Sequence, residues 1–380
     1  MATITFFPIG NADTAIIRLS SSKLVLVDYA NMRDINDKDD KRCDLPFELR
    51  QQLRDAGQND FRVVCFSHLD MDHVKGMGDF FWLEHSTKYQ IDGRPKIEEL
   101  WVPAAAITEV GVEDDSRLVR QEARYRLIKG EKIKVFSRPG ALKNFLQDNG
   151  LSIDARRDCI VDAGEVVPDF TLDGPEHVEF FVHSPFAWRV DDEALEDRNQ
   201  NSIVFQVTFR EFGQDTYGIF GGDVDSDTLV EIVKTTRNHE RDHRLLWDVL
   251  KLFHHCSYKA LNQQSSEPDE PIDPVEEVRW LIEDQGRSGA IIVSPSAKIP
   301  TQDTKGANPP HRRAAVYYKS VIEKKDGEFK VTMDHPTSTN PRPLRIEVDQ
   351  RGASVAVIIG SSIGTATQSP TRAGYASSDS

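Results

Sequence analysis

The sequence predicts an α/β fold built as a layered α/β/β/α sandwich. Three observations point there. Short β-branched runs fall into two sets, one ending near Pro103 and one starting at Val178; helical patterns lie within and between the sets; and no segment repeats at a fixed period. At 380 residues the chain is long enough to bury a large core as one unit.

In chain order, residues 2–7 read as the first strand, followed by strands at 13–19 and 23–29 joined by the Ser20-Ser21-Ser22 turn. Residues 45–56 form a predicted helix, because Asp44 can cap it, Pro46 sits in its first turn and Gly57 ends it. Residues 61–66 are almost continuously apolar, as a strand buried on both faces must be, and they lead straight into Ser67-His68-Leu69-Asp70-Met71-Asp72-His73. A helix is expected over 76–83, a strand end at 100–103, and helices over 115–129 and 139–149. Residues 104–157 are expected to form a basic helical insertion over the core, since eleven Lys or Arg face four Asp or Glu between Arg117 and Arg157. Strands return at 178–183, 202–209, 217–220, 249–253 and 290–293, with a helix over 225–233. Residues 262–277 are polar and proline-bearing, hence a loop. The domain is expected to span 1–360, with 361–380 a disordered tail poor in bulky apolar groups.

Composition narrows the function. A formal net charge of −15 argues against a surface devoted to wrapping nucleic acid. The basic stretches at 117–157 and 298–330 fit either a face that draws in a phosphate-bearing substrate or a solvated helix surface. No apolar run approaches the roughly 20 residues that span a bilayer, so no membrane association is expected. The start has no basic head or cleavage site, and the cysteines Cys43, Cys65, Cys159 and Cys256 have no metal-like spacing, so a cytoplasmic location is expected.

The chemistry concentrates in His68-x-Asp70-x-Asp72-His73. Two carboxylates and two imidazoles within six residues are costly to bury together unless a cation lies between them. Alternation aims His68, Asp70 and Asp72 to one side of a strand-to-loop turn, with His73 opening the next helix, an arrangement able to feed two metals. Farther on, a strand runs into Gly221-Gly222-Asp223, where glycines allow close backbone approach and the acid can bridge. His254 and His255 sit together at another strand end.

These residues resemble the metallo-β-lactamase superfamily, with its His-x-His-x-Asp-His signature, and within it the ComEC-type hydrolase domains of DNA-uptake proteins. The likeness spans residues 1 to about 325 and keeps the family's order: Leu26-Val27-Asp28, Ser67 to His73, Asn199-Gln200-Asn201-Ser202, Gly222-Asp223, His254-His255-Cys256-Ser257, then Ser294 and Asn308-Pro309-Pro310-His311. It departs at Asp70, in place of the superfamily's usual second histidine; at Cys256, in place of glycine; at Arg312, in place of proline; and in the basic insertion.

The resemblance implies a metallo-β-lactamase-like sandwich with two divalent metal ions, zinc or manganese. His68 and Asp70 would bind one and Asp72 and His73 the other, with Asp223 bridging. One of His254 and His255 would complete the second site, His255 being favoured, and the other would face the substrate as acid or donor. His183 is a candidate third ligand for the first metal. Asp28 would orient a metal-binding histidine from behind, and Ser294, Asn308 and His311 would line the pocket. The implied activity is hydrolysis by a metal-bound hydroxide, with Asp72 and His254 in catalytic roles. The expected substrate is a phosphodiester in DNA or RNA, with a protein partner supplying nucleic-acid affinity. A small ester (a choline phosphodiester, cyclic nucleotide or lactone) and a non-enzymatic, metal-stabilised binding module are the alternatives.

Overall fold

Alternation along the strands fixes the architecture, because successive side chains point to opposite faces and here both faces are apolar. In β3 (Leu24–Val27), Leu24 and Leu26 enter one core while Val25 and Val27 enter another. In β4 (Phe61–Cys65), Val64 joins the first core and Val63 and Cys65 the second. The computed structural model describes residues 1–187, 198–264, 267 and 270–356; the tail at 361–380 lies outside the described residues.

Among them, nine strands form one sheet and six form another. The first sheet holds β1 (Ala2–Phe6), β2 (Ala15–Arg18), β3 and β4, then β5 (Ile97–Pro103), β6 (Ile133–Phe136) and β7 (Ile160–Val161). Its strands from β3 to β7 run parallel, and its other edge is the hairpin of β14 (Leu344–Asp349) and β15 (Gly352–Val355), with β14 antiparallel to β1. The second sheet holds β8 (Val178–Ser184), β9 (Val204–Glu211), β10 (Gln214–Gly221), β11 (Trp247–Lys251), β12 (Gly286–Ser294) and β13 (Glu328–Val331). Its strands from β10 to β13 are parallel.

Three apolar cores separate four layers. One lies between the first sheet and α1 (Leu45–Ala56), α4 (Ala104–Thr108), α5 (Asp114–Lys129) and α6 (Gly140–Asp148). The middle core joins the two sheets. The third lies between the second sheet and α7 (Ser226–Asn238), α8 (Glu276–Glu283) and α9 (Arg312–Glu323). The α/β/β/α sandwich expected from the sequence is therefore present. The start of α1 is also as expected: Asp44 accepts from the Phe47 N–H, and Gly57 closes the helix in the left-handed conformation.

Two expectations need correction. The segment 104–157 does not lie over a finished core. It supplies β6, buried at every position and parallel to β5, so α4 and α5 are the crossover of a βαβ unit. Of the helix expected over 76–83 only the single turn α3 (Met77–Phe80) forms; another turn, α2 (Met71–Val74), precedes it, and Gly76 at φ 84° keeps the two from joining.

Trp101 of β5 anchors the middle core, fully buried with ring edges on Phe136, Phe170 and Phe180 at 5.7, 5.6 and 5.2 Å. Trp101→Ala is expected to destabilise the protein by about 3–5 kcal/mol, measurable as a fall in the denaturant midpoint at unchanged slope.

Candidate metal centre

Parallel strands gather their chemistry at the C-terminal edge, where loops are free of the ladder. Here the ends of β3, β4, β10, β11 and β12 converge with the β1–β2 loop. The segment after β4 is pinned by backbone and side-chain bonds on several sides. Ser67 O accepts from Ile203 N at 2.9 Å, Leu69 O from the Ser116 hydroxyl at 2.5 Å, and Asp72 O from Asp13 N at 3.0 Å. The Asp115 carboxylate takes the Gly76 and Gly78 N–H groups at 2.8 and 3.0 Å. Gly222 is required by close approach, since a Cβ there would sit 2.8 Å from both the Ser67 and the Ser202 hydroxyl oxygens.

Asp72, His73, Asp223 and His255 each offer one ligand atom, all within 4.8 Å of one another. His255 Nε2 lies 3.2 Å from Asp72 Oδ2 and 3.3 Å from Asp223 Oδ2, and His73 Nε2 lies 3.3 Å from Asp223 Oδ1. The opposite nitrogens are held: His73 Nδ1–H donates to Asp28 at 2.8 Å and His255 Nδ1–H to the Pro295 carbonyl at 2.9 Å. That fixes the tautomers and aims both Nε2 atoms into the cluster. His68 is arranged alike, with Nδ1 3.1 Å from the Ser67 hydroxyl, which itself donates to Asp28 at 2.7 Å, and Nε2 3.7 Å from Asp70.

Among the described residues, the Nε2 atoms of His68, His73 and His255 and Oδ1 of Asp223 are buried with no hydrogen-bond partner. Four such orphans in one place would be costly in a finished site. The His73 and His255 Nε2 atoms face carboxylate oxygens at 3.2–3.3 Å, and imidazole nitrogens mixed with carboxylate oxygens suit a divalent transition ion. The donor set fits cations.

Without cations, protons balance the charge. Burial would lower the pKa of His73, but Asp28 and Asp223 hold it well above the usual imidazole range. His255 is likewise disfavoured as a cation by burial, yet Asp223 and Asp13 push it up to about 10. Burial would raise Asp72, but contact with His255 and the charge of His73 bring it down to about 2.

Backbone strain marks the same place. Asp28, His254, His255 and Cys256 have φ of 58, 47, 50 and 67°, each a left-handed conformation costing about 1–2 kcal/mol in a residue with a Cβ. Cys256, in the position where the resemblance has glycine, still adopts the glycine-like turn.

The predicted residues are not all gathered. His254 is more exposed than His68, His73 and His255 and lies 3.9 Å from Asp223, and burial lowers its pKa, leaving a neutral imidazole at the rim. His183 is held elsewhere. Its Nε2–H donates to the Arg244 carbonyl at 2.9 Å, Thr236 lies 3.5 Å from Nδ1, and burial takes its pKa down to about 4. Its ring stands on the face of β8 toward α7 and does not join the cluster. Ser294 pairs with the Ser296 hydroxyl at 2.7 Å, and Asn308 is exposed. His311 braces the turn from behind, its N–H donating to the Cys256 carbonyl at 3.1 Å.

Sequence reasoning missed Asp13 and Lys251, a buried ion pair touching the cluster. A lone aspartate in a loop between two strands and a lysine inside an apolar run carry no local signature. The signal available was the lysine itself, a charge in Val249-Leu250-Lys251-Leu252 that had to be paired.

No family model matches the chain, and no curated protein does. Among solved structures it is similar to a diphosphatase from the PhnP family, with 11% identity over 77% of this chain and 86% of that one and a TM-score of 0.30. It is similar to Zn(2+)-bound PqqB from Methylobacterium extorquens, with 9% identity, coverage of 86% and 97%, and a TM-score of 0.33. It is similar also to BJP-1, a subclass B3 metallo-β-lactamase of Bradyrhizobium japonicum, with 15% identity, coverage of 73% and 89%, and a TM-score of 0.28. The strand order and the three cores define the fold.

Cation binding has to displace protons from His73 and His255, so affinity is expected to rise with pH. The sign follows from the folded pKa values. For the metal-free protein, the His255 contribution to stability is full below its ordinary 6.5 and lost as pH rises through about 10. The Asp72 contribution is present above 3.8 and lost as pH falls through about 2. The increase in Tm caused by Mn2+ or Zn2+ is therefore expected to be larger at pH 9 than at pH 6, and an increase that shrinks with pH would contradict this assignment.

Proposed function

We propose that this chain is a hydrolase using two divalent cations and acting on phosphodiesters. The observation that carries it is electrostatic. Asp13, Asp28, Asp70, Asp72 and Asp223 crowd around His68, His73 and His255 with Lys251 as the paired lysine. Five carboxylates against one ammonium leave an excess of four negative charges, the charge of two divalent cations. His73, Asp72, Asp223 and His255 would hold one, and His68 and Asp70 would contribute to the other.

When bound, such ions supply Lewis-acid chemistry, acidifying a water and drawing charge from the scissile group. The chain's own residues do the rest. Asp28 and Pro295 O lock the two imidazoles in one tautomer, and the pinned loop from Ser67 to Gly78 keeps the carboxylates from relaxing apart. His254, neutral and at the rim, is placed to donate a proton or hydrogen bond to charge developing on the substrate.

The phosphodiester assignment, in DNA or RNA, rests on the family resemblance and on basic residues at 117–157. A partner protein that binds nucleic acid belongs to this reading, since the chain carries a formal net charge of −15. One observation favours the second reading, a small ester. The basic side chains of the 117–157 segment are largely taken up internally: Arg126 is buried on Glu122, Arg124 donates to Ile107 O, and Arg156 to Leu127 O. The end of α5 that abuts the motif is acidic, with Asp115 on Gly76 and Gly78.

Purified protein loaded with Mn2+ or Zn2+ should cleave single-stranded or plasmid DNA, or RNA, and lose that activity on chelation. Cleavage confined to a small phosphodiester or lactone would move the assignment to the second reading, and no cleavage of any would sink hydrolysis. Asp72→Ala is expected to lower turnover by more than about a hundredfold with an unchanged circular dichroism spectrum.

A further inference from the structure

The hydrolytic reading leaves unused the buried ion pair beneath the cluster. Lys251 is the last residue of β11 and 1% exposed, and its ammonium donates to Asp13 and to the carbonyl of Gly221. These residues end or join three segments that lead into the site. Asp13 lies in the loop between β1 and β2. Gly221 ends β10 just ahead of Asp223, and Lys251 precedes His254 and His255. Asp13 reaches a fourth segment, its N–H donating to the Asp72 carbonyl at 3.0 Å.

The Asp13 carboxylate also stands against the back edges of both imidazoles, Oδ2 3.8 Å from His73 Nδ1 and Oδ1 3.7 Å from His255 Nδ1. Those edges already donate to Asp28 and to Pro295 O, so Asp13 acts on them by position and charge. The two imidazoles come from different halves of the sandwich: His73 follows β4 of the first sheet, and His255 follows β11 of the second. Asp13 and Lys251 are divided the same way.

A buried ion pair is a weak stabiliser, because removing both charges from water offsets most of their attraction, and an apolar pair of similar shape serves the core as well. What the ammonium adds is direction, since its N–H groups fix a carboxylate from one sheet and a carbonyl from the other. We infer that Asp13 and Lys251 are a positioning pair that holds the two halves of the cation site, one carried by each sheet, in register. This inference rests on the reading of the cluster as a cation site.

The test uses the full chain, with Mn2+ affinity read by calorimetry and ligand geometry read from the visible absorption of the Co2+ form. Lys251→Met leaves Asp13 buried and unpaired and endangers folding, so the Asp13→Asn/Lys251→Met double variant, which removes both charges, is measured beside it. Asp13→Glu keeps both charges and moves the carboxylate. The double variant is expected to regain the metal-free Tm of the wild type yet bind Mn2+ about tenfold or more weakly, with a shifted Co2+ spectrum. Asp13→Glu is expected to shift the spectrum as well. A double variant that binds Mn2+ as the wild type does, with its spectrum unchanged, would overturn the positioning role and leave the cation site standing. A wild type that takes up neither Mn2+ nor Co2+ would remove the cation reading and this inference with it.

Discussion

Everything at this site follows from negative charge gathered where water cannot screen it. Asp13, Asp28 and Asp223 are all buried, and Asp72 is partly so. Carboxylates in that position repel and lose solvation unless cations, protons or N–H groups answer them. Each neighbouring feature supplies part of the answer: the lysine under the cluster, imidazoles held protonated in the metal-free protein, and backbone N–H groups such as that of Ser67, which donates to Asp28 at 2.6 Å.

The fold makes the gathering feasible by separating labour between its layers. Three apolar cores carry stability, so strand ends can be given over to groups that gain nothing from burial. The same logic accounts for the left-handed residues at Asp28 and 254–256, strain that a marginal loop would relax but that surrounding packing enforces. The turn at 254–256 is gripped on both sides, by Pro295 O on the His255 ring and by the His311 N–H on the Cys256 carbonyl.

The sequence made the layers legible because alternation is a local signal, and apolar runs such as Phe61–Cys65 left little choice about burial. The helix over Leu45–Ala56 was readable from its cap and terminal glycine. Residue type and strand-end position singled out 68–73, 223 and the pair 254–255, while the preference for His255 over His254 came only from the resemblance. Strand β6 is only four residues long, carries Lys134 and lies between two helices, so it has too short an apolar run to stand out. Strand β14, with Leu344, Ile346 and Val348 alternating inward, pairs with β1 from the far end of the chain, and no local pattern announces such a partner. His183 shows the opposite failure: a histidine at a strand end satisfied by Arg244 O is, in sequence, indistinguishable from a ligand. Asp13 and Lys251 become meaningful only once two sheets are stacked.

The position of β1 has a further consequence. It lies between β2 and β14, in register with Val348, Glu347 and Ile346 through Ala2, Thr3 and Ile4. Until residue 349 has been synthesised, β1 has one bare edge, and the loop bearing Asp13 hangs from a strand hydrogen-bonded on a single side. Contacts so distant along the chain form slowly, because a long loop must close before they reward it. Emergence from the ribosome would thus proceed with β1 still unpaired on that side. The ladder that fixes the start of the Asp13 loop would then be completed only after residues 344–349 have joined the sheet.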